Sequence, residues 1–170
     1  WFRAVFEHSD FVQSFWNSLW LALASATVAT VLAVPAGIAI TRYQFAGRDF
    51  LNGLFLSPLI IPHLVLGVAL LRLFALVGAT GSFGWLVAAH ALIVTPYTLR
   101  LVVAALVGFD RSAEHAALSL GASQSTVFTR ITLRMILPGV TGGWLLAFIN
   151  SFDEVTMTIF VTSPATVTLP

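Results

Sequence analysis

Four long stretches of this sequence contain no charged residue. They cover residues 11–41, 50–71, 73–99 and 135–152 and are 31, 22, 27 and 18 residues long. An apolar helix of about 20 residues spans the roughly 30 Å hydrocarbon core of a bilayer. Charged residues make up only 9% of the chain, against about a quarter in soluble domains. The sequence therefore predicts an all-α, polytopic transmembrane helical bundle and excludes a soluble enzyme, a nucleic-acid-binding protein and a disordered chain.

We expect one transmembrane domain over residues 1–170. The four predicted spans cover residues 19–40, 51–77, 85–106 and 135–151. Asn17 and Ser18 offer a polar helix start before the first span, and the glycine-rich residues 78–84 predict a reversal after the second. Residues 108–134 form the one long polar segment. Because the chain starts at Trp1 without methionine and ends at Pro170 without a charged tail, we expect it to be truncated at both ends.

Arginine is the only basic residue apart from histidine, and its distribution predicts the topology. The loop at 42–48 and the segment at 108–134 share one face and carry five arginines, or six with Arg100. The other face has Arg3 and Arg72, beside Glu7 and the acidic pair at 153–154. Short cytoplasmic loops accumulate basic residues. We therefore expect residues 108–134 to lie in the cytoplasm, and the weak net charge of +1 indicates no polyanionic partner.

Every predicted span contains or borders proline. The positions are Pro35, Pro58, Pro62, Pro96 and Pro138. A proline inside a span frees a backbone carbonyl that lipid cannot satisfy. One interpretation is ordinary membrane-helix proline, packed against neighbouring helices. The other is that Pro58, Pro62 and Pro96 let the helices bend around a pathway.

The polar segment predicts a helix, a glycine bend and a second helix. Asp110 or Ser112 can cap the first helix, Gly121 can end it in a left-handed conformation, and Ser123 can cap the second. A face of small and apolar residues recurs at helical spacing on the first helix: Ala113, Ala116, Ala117 and Leu120. Such an elbow fits a groove on a soluble partner or lies on lipid headgroups. The pattern alone leaves both interpretations open.

Residues 114–138 resemble the signature of binding-protein-dependent ABC importer permeases. That signature opens on Glu-Ala-Ala, has a glycine seven residues after the glutamate and closes on a hydrophobic-x-Leu-Pro pattern. Here Glu114, Ala116 and Gly121 take the opening positions, and residues 131–133 read Ile-Thr-Leu. His115 replaces the first alanine, and Arg134 stands where the family usually has proline. The glutamate-to-glycine spacing is intact.

The resemblance extends over nearly the whole chain. Residues 17–19, 42–48 and 57–62 are similar to the permease superfamily as a whole. Residues 108–110, 151–155, 160–162 and 169–170 are most similar to the spermidine/putrescine branch. Related branches that move iron, thiamine or sulfate share much of this scaffold. The fold implied is the helical bundle of a type I ABC importer permease in the bacterial inner membrane.

The resemblance implies a transporter subunit that is not itself an enzyme. Its partners would be ATPase subunits, a second permease, a periplasmic solute-binding protein and the lipid bilayer, with no nucleic acid. Residues 112–121 would be the coupling helix that docks on the ATPase. The residues implied in coupling are Glu114, His115, Ala116, Ala117, Gly121 and Ala122. Since the chain has no lysine for a phosphate-binding loop, ATP and Mg²⁺ would bind the partner, and we expect no cofactor in this chain.

Asp153 and Glu154 follow Phe152 at the outer end of the fourth predicted span. Carboxylates at membrane depth usually face a cavity or a partner. With Trp144 and Phe152 nearby, this pair can attract an oligocation that the rings bind by cation-π contact. These four residues are the predicted solute pathway. The alternative is a solvated loop, or a salt bridge to Arg72.

The other polar residues indicate no metal-binding or catalytic site. His63 and His90 are interpreted either as pathway residues or, more simply, as structurally hydrogen-bonded histidines. Without cysteine, a histidine pair at helical spacing or a carboxylate cluster, we expect no metal site. No motif orders serine, histidine and aspartate into a nucleophilic triad, so we expect no catalytic residue. A membrane-embedded enzyme or a passive channel is the alternative class, and it would act without an ATPase.

Overall fold

The computed structural model describes residues 9–162, 166 and 168–169, and Arg3 and Glu7 lie outside this part of the chain. All regular secondary structure among the described residues is helical, which confirms the predicted fold class. The helices are α1 (Ser9–Arg42), α2 (Arg48–Leu56), α3 (His63–Leu76), α4 (Phe83–Val107), α5 (Ser112–Ser119), α6 (Gln124–Val127), α7 (Leu133–Phe152) and α8 (Thr158–Val161). A 3-10 turn covers Ser57–Leu59, and a π-helical segment covers Phe128–Thr132.

Within the described ranges, three helices are long and apolar enough to cross a bilayer. They are Phe11–Arg42 in α1, Phe83–Val107 in α4, and Gln124–Phe152, in which α6, the π-helical segment and α7 run on as one helix. A fourth crossing is available only if a bent pair of helices counts as one span. The first, third and fourth predicted spans therefore correspond to continuous helices.

The first helix begins earlier than the sequence predicts. Asn17 and Ser18 predict the helix start, but α1 is already helical from Ser9. Ser18 is buried, and its hydroxyl accepts a hydrogen bond from the Leu169 backbone N–H at 2.8 Å. The Ser18 side chain therefore binds the backbone near the end of the described chain and does not cap a helix.

The second predicted span, residues 51–77, is not one helix. Arg48–Leu59 and His63–Leu76 meet at an angle of 105°. Pro62 adopts an extended conformation with ψ 134° directly before α3, and Pro58 lies in the 3-10 turn. Neither proline can donate the backbone hydrogen bond that would continue a helix through this region. The chain therefore bends at Pro58 and Pro62, whereas Pro96 lies inside the continuous helix α4. That the bend surrounds a pathway stays a prediction.

The contact between α1 and α4 is lined by alanine. Four fully buried alanines follow helical spacing along α1: Ala22, Ala26, Ala29 and Ala33. Ala26 and Ala29 belong to the same apolar cluster as Leu86 and Ile93 of α4, and Ala33 belongs to the same cluster as Leu99 of α4. Small side chains allow the two backbones to approach closely, which is the usual basis of helix association in lipid.

Glycine allows a similarly close approach of the backbones of α4 and α7. A Cβ atom built on Gly139 would lie 2.8 Å from the Leu101 carbonyl oxygen and 2.5 Å from the Ala105 Cβ. One turn further on, the Gly143 carbonyl accepts a hydrogen bond from the Thr98 hydroxyl at 3.2 Å. These two glycines, four residues apart, let α7 lie directly on the backbone of α4.

Contacts at the two ends of the bundle align the three long helices. At one end, the Arg42 side chain of α1 contacts Glu114 of α5. At the other, the rings of Phe15 in α1 and Phe152 in α7 meet edge to face at 6.3 Å. The loop at 42–48 and the segment at 108–134 therefore lie at the same end, as the arginine distribution predicts.

Candidate functional site

The polar segment folds as the predicted elbow. Helix α5 ends before Gly121, whose φ of +84° is in the left-handed region. The Ser123 hydroxyl then accepts a hydrogen bond from the Thr126 backbone N–H and caps α6. Residues other than glycine rarely adopt a positive φ, so glycine is required at the bend. Asp110 accepts hydrogen bonds from the Ser112 backbone and hydroxyl just before α5.

The outer surface of the elbow carries small and apolar side chains. His115, Ala116 and Gly121 are exposed, and Ala117 and Ala122 are half-buried. Leu120 has 88% of its surface exposed, more than any other large hydrophobic residue described. The predicted face of α5 thus points away from the bundle and is available to a partner.

The Glu114 side chain points from α5 into the protein. Only 3% of its surface is exposed. Its Oε1 accepts hydrogen bonds from Arg42 Nη2 at 2.8 Å and from the Thr132 hydroxyl, and its Oε2 lies 3.3 Å from Arg111 Nε. We call Glu114, Arg42, Arg111 and Thr132 the Glu114 cluster. Of the predicted coupling residues, this one is therefore inside the protein and not on the exposed elbow.

The electrostatics of the cluster favour an ionised carboxylate. Burial by itself would raise the pKa of Glu114, but the hydrogen bonds from Thr132 and Arg42, with the charge of Arg42, outweigh it and lower the pKa. Hydrogen bonds to an ionised group are shorter and stronger than neutral ones. The cluster therefore holds a charge at the arginine-rich end of the bundle, with both oxygens of the Glu114 carboxylate hydrogen-bonded.

The two carboxylates that follow α7 have different surroundings. Asp153 is exposed and forms no ion pair within the described residues. The Glu154 side chain is 8% exposed, and its Oε2 lies 2.5 Å from His63 Nδ1. Its Oε1 accepts the Met157 backbone N–H at 2.8 Å. The alternative pairing with Arg72 is not formed among the described residues, since Arg72 is exposed and Glu154 pairs with His63.

The aromatic residues of the predicted pathway form a column along α7. The rings of Trp144 and Phe148 are stacked with centroids 5.7 Å apart, and those of Phe148 and Phe152 are 6.0 Å apart. The Trp144 indole N–H donates to the Thr27 hydroxyl at 3.2 Å. All three rings are half-buried. The column ends at Phe152, so Trp144 and Phe152 do lie along one side of α7. The exposed carboxylate of Asp153 follows directly after the last residue of this helix.

His90 is a structural residue. It is 1% exposed in the interior of α4. Its Nδ1 lies 2.9 Å from the Ser151 hydroxyl and its Nε2 lies 2.9 Å from that of Thr158. The simpler interpretation of His90 is confirmed, since both ring nitrogens are used to join α4 to α7 and α8.

Residues 11–170 match the family described as the binding-protein-dependent transport system inner membrane component. The chain belongs to this family. It is consequently a multi-pass membrane protein, and the resemblance seen in residues 114–138 is confirmed.

Three relatives of this permease chain are named for the transport of different solutes. The spermidine/putrescine transport system permease protein PotC of Haemophilus influenzae is 35% identical over 170 residues, all of this chain and 66% of its own length. The putrescine transport system permease protein PotI of Escherichia coli is 33% identical over 179 residues, all of this chain and 63% of its own. The molybdate/tungstate transport system permease protein WtpB of Pyrococcus abyssi is 29% identical over 144 residues, 85% of this chain and 58% of its own. The chain thus spans about two thirds or less of these relatives.

Sequence reasoning about this permease missed the partners of its buried polar groups. Arg42 and Thr132 were not linked to Glu114, and His63 was not linked to Glu154. The sequence carried one signal for each pair. Arg42 stands at the very end of an apolar span, and His63 is a lone histidine beside a proline. Neither signal names a partner, because the residues concerned are far apart in the chain.

Proposed function

We propose that this chain is the membrane-spanning subunit of an ATP-driven importer of small solutes in the bacterial inner membrane. The observation that carries the proposal is the elbow formed by α5, Gly121 and α6. It presents Leu120 and small side chains outward at the arginine-rich end of the bundle. A short helix with an exposed, smooth face fits a groove on a soluble partner.

The proposed partner at the elbow is an ATPase subunit, with His115, Ala116, Ala117, Gly121 and Ala122 at or near the contact. A nucleotide-binding loop of the usual type needs lysine, and this chain has none. ATP and Mg²⁺ would therefore bind to that partner. Large apolar side chains remain exposed along α7, among them Met135, Leu145 and Ile149, which is consistent with a second permease subunit packing beside it. A solute-binding protein is the partner that the family description implies.

The proposed solutes are polyamines. Asp153 supplies an exposed carboxylate for an ammonium group, and the Trp144–Phe148–Phe152 column supplies ring faces for cation-π contacts. Two of the relatives are permeases for putrescine or spermidine. The similarity to a molybdate/tungstate permease keeps another small solute, such as iron, thiamine or sulfate, as the alternative within the same superfamily.

The test of this function is substitution of the elbow glycine in the assembled transporter, reconstituted in proteoliposomes with its ATPase and solute receptor. Gly121→Val forces a β-branched residue into a left-handed conformation, at a cost of about 1–2 kcal/mol. We expect ATPase binding and spermidine uptake to be lost while the spans remain inserted. No atom lies within 4 Å of a Cβ at Gly121, so the effect comes from backbone conformation alone.

Two controls accompany this substitution. Gly121→Asn should retain most of the uptake, because asparagine tolerates the left-handed region. Gly53→Val should leave ATPase binding unchanged, because Gly53 also has open space around its Cβ but lies in α2 without a positive φ. Full uptake and ATPase binding in Gly121→Val would overturn the proposed role of the elbow.

A further inference from the structure

One side chain of α4 holds the segment 151–158 at both of its ends. His90 Nδ1 lies 2.9 Å from the Ser151 hydroxyl, and its Nε2 lies 2.9 Å from the Thr158 hydroxyl. These three residues are each at most 3% exposed. Asp153, the exposed carboxylate of the proposed solute site, lies between Ser151 and Thr158 in the chain. The contacts of His90 therefore enclose it from both sides along the sequence.

The hydrogen bonds of Thr158 determine which nitrogen of the neutral His90 ring carries the proton. The Thr158 hydroxyl donates its single proton to the backbone carbonyl of Glu154. Its oxygen can then only accept a hydrogen bond from the ring, which places the ring proton on Nε2. Nδ1 is left as an acceptor for the Ser151 hydroxyl. Each of the three side chains thus donates one hydrogen bond, in a single direction from Ser151 to Glu154.

The Asp153 side chain itself has no anchor among the described residues. It is exposed and forms no hydrogen bond or ion pair there. Its backbone N–H donates to the Ile149 carbonyl at 3.1 Å, in the last turn of α7. The place of this carboxylate therefore follows from the place of the backbone, which His90 connects to α4.

Helix α3 holds the same segment by other contacts. His63 pairs with Glu154, and a Cβ built on Gly67 would lie 3.2 Å from Met157 Cα. However, α3 meets the preceding helix at an angle of 105°, whereas α4 is one continuous span of 25 residues. Of these two attachments, the one through His90 therefore links the segment to an unbroken helix of the bundle.

We propose that His90, as the Nε2–H tautomer, is a positioning residue for the solute-binding carboxylate of Asp153. By holding both ends of the segment 151–158, it keeps Asp153 in one place relative to Phe152 and the rest of the aromatic column. An ammonium group then meets the carboxylate and the ring face in a preorganised arrangement, which lowers the cost of binding. This inference rests on the proposed function, in which Asp153 attracts a polyamine.

The functional experiment is a double-mutant cycle in the reconstituted transporter, with spermidine uptake expressed per inserted chain. We expect His90→Leu and Asp153→Asn each to lower uptake by at least about threefold. Residues that act through one another give non-additive effects, so the double variant should lose no more than the more impaired single variant. A histidine that only stabilised the fold would give additive losses instead.

Three further variants separate positioning from stability. His90→Gln keeps a donor and an acceptor and should retain more uptake than His90→Leu. Ser151→Ala removes one hydroxyl, should fold even where His90→Leu fails, and should also be non-additive with Asp153→Asn. Thr98→Val is the matched control, because it removes another buried hydrogen bond between α4 and α7, from Thr98 to the Gly143 carbonyl. Its effect on uptake should be small and additive with that of Asp153→Asn.

The position of the segment is measured directly with spin labels. The chain has no cysteine, so two introduced cysteines are labelled specifically. Thr156 in the segment and Val31 on α1 are both exposed. We expect a narrow distance distribution between labels at these two positions, a broader one in Ser151→Ala and His90→Leu, and an unchanged one in Thr98→Val.

Nitrogen NMR of the membrane-embedded chain tests the tautomer. The signals missing in His90→Gln belong to His90, and they should show a protonated Nε2 and an unprotonated Nδ1. A protonated Nδ1, an unchanged label distance in Ser151→Ala and His90→Leu, or additive losses of uptake would each overturn the proposal. Failure of the proposed solute site has a different signature, since Asp153→Asn alone would then leave spermidine uptake unchanged while the label distances still responded to Ser151→Ala.

Discussion

His63 Nδ1 lies 2.5 Å from Glu154 Oε2, which joins the first residue of α3 to the segment that follows α7. The two residues are 91 positions apart in the chain. Glu154 also accepts the backbone N–H of Met157, one residue before α8. This carboxylate therefore joins α3 to the segment that follows α7, whereas its neighbour Asp153 is exposed.

The first prediction separates these two carboxylates. Asp153→Asn should lower putrescine and spermidine uptake without changing stability, because it removes an exposed charge and no hydrogen bond. Glu154→Gln should destabilise the protein by about 1–3 kcal/mol, because it weakens the contact with His63 and the hydrogen bond to Met157. Uptake assays and denaturation in mixed micelles measure the two effects.

Electrostatic attraction of cations is tested with the same variants. Uptake of an anionic solute, such as molybdate, through the same preparation is the reference. If Asp153→Asn changes cation and anion uptake equally, the carboxylate does not select for charge and the assignment of polyamines as solutes fails at this site.

The second prediction concerns the contact of α7 with α4. Gly139→Ala should cost about 1–3 kcal/mol, the usual penalty for overpacking, because its new methyl group would meet the Leu101 carbonyl and the Ala105 side chain. Gly142→Ala is the matched control on the same helix, since its nearest neighbour would be Leu101 Cδ1 at an ordinary 3.7 Å. Equal unfolding midpoints for the two variants would argue against close packing at Gly139.

The third prediction concerns the buried histidine. His90→Leu removes the partner of the Ser151 and Thr158 hydroxyls, which are both buried. A buried polar group left unsatisfied costs about 1–3 kcal/mol, so unfolding should require less denaturant. His115→Leu, at an exposed position of α5, should change stability by less than about 0.5 kcal/mol. A larger loss for His115→Leu than for His90→Leu would contradict the structural role of His90.

The fourth prediction concerns acid. The pKa of Glu114 is lower in the folded state than its ordinary value of about 4.3, because Thr132 and Arg42 hydrogen-bond the carboxylate more strongly than burial penalises it. A lowered carboxyl pKa stabilises the fold above the unfolded-state pKa, and this contribution is lost as the pH falls through the folded-state pKa.

Amide hydrogen exchange of α5 measures that loss. Protection of residues 112–119 should be constant near neutral pH and should decrease on acidification below the ordinary carboxyl range. Glu114→Gln should remove most of this dependence. Asp110→Asn should retain it, because the Asp110 side chain hydrogen-bonds Ser112 and is not a partner of Glu114. An unchanged pH profile in Glu114→Gln would assign the effect to another group.

Local sequence patterns predict the elbow because capping and left-handed glycine act over a few residues. Gly121 and Ser123 each determine the conformation of their own neighbourhood, and the structure places both as the pattern predicts. The charge-free stretches likewise predict the helices α1, α4 and α7, since the length of an apolar run is a property of one segment. Proline predicts the break in the second span but not its angle.

The partners of the buried polar groups could not be predicted in the same way. Glu114 at the start of a polar helix is typical of an exposed residue that favours the helix dipole. Its burial depends on α1 ending beside it, and nothing in the local pattern records which helices become neighbours. The same applies to His90, whose partners are 61 and 68 residues away.

The alanines along α1 have a consequence for motion in this protein. Alanine has no side-chain torsion, so ordering it costs no rotamer entropy, and a seam made of Ala22, Ala26, Ala29 and Ala33 offers no alternative side-chain arrangement. Helices α1 and α4 should therefore tilt as a single rigid body. In a transport cycle, the movement that opens and closes the bundle would then occur at the bent pair α2 and α3. The junction of this pair lacks two backbone N–H donors, because Pro58 and Pro62 lie there.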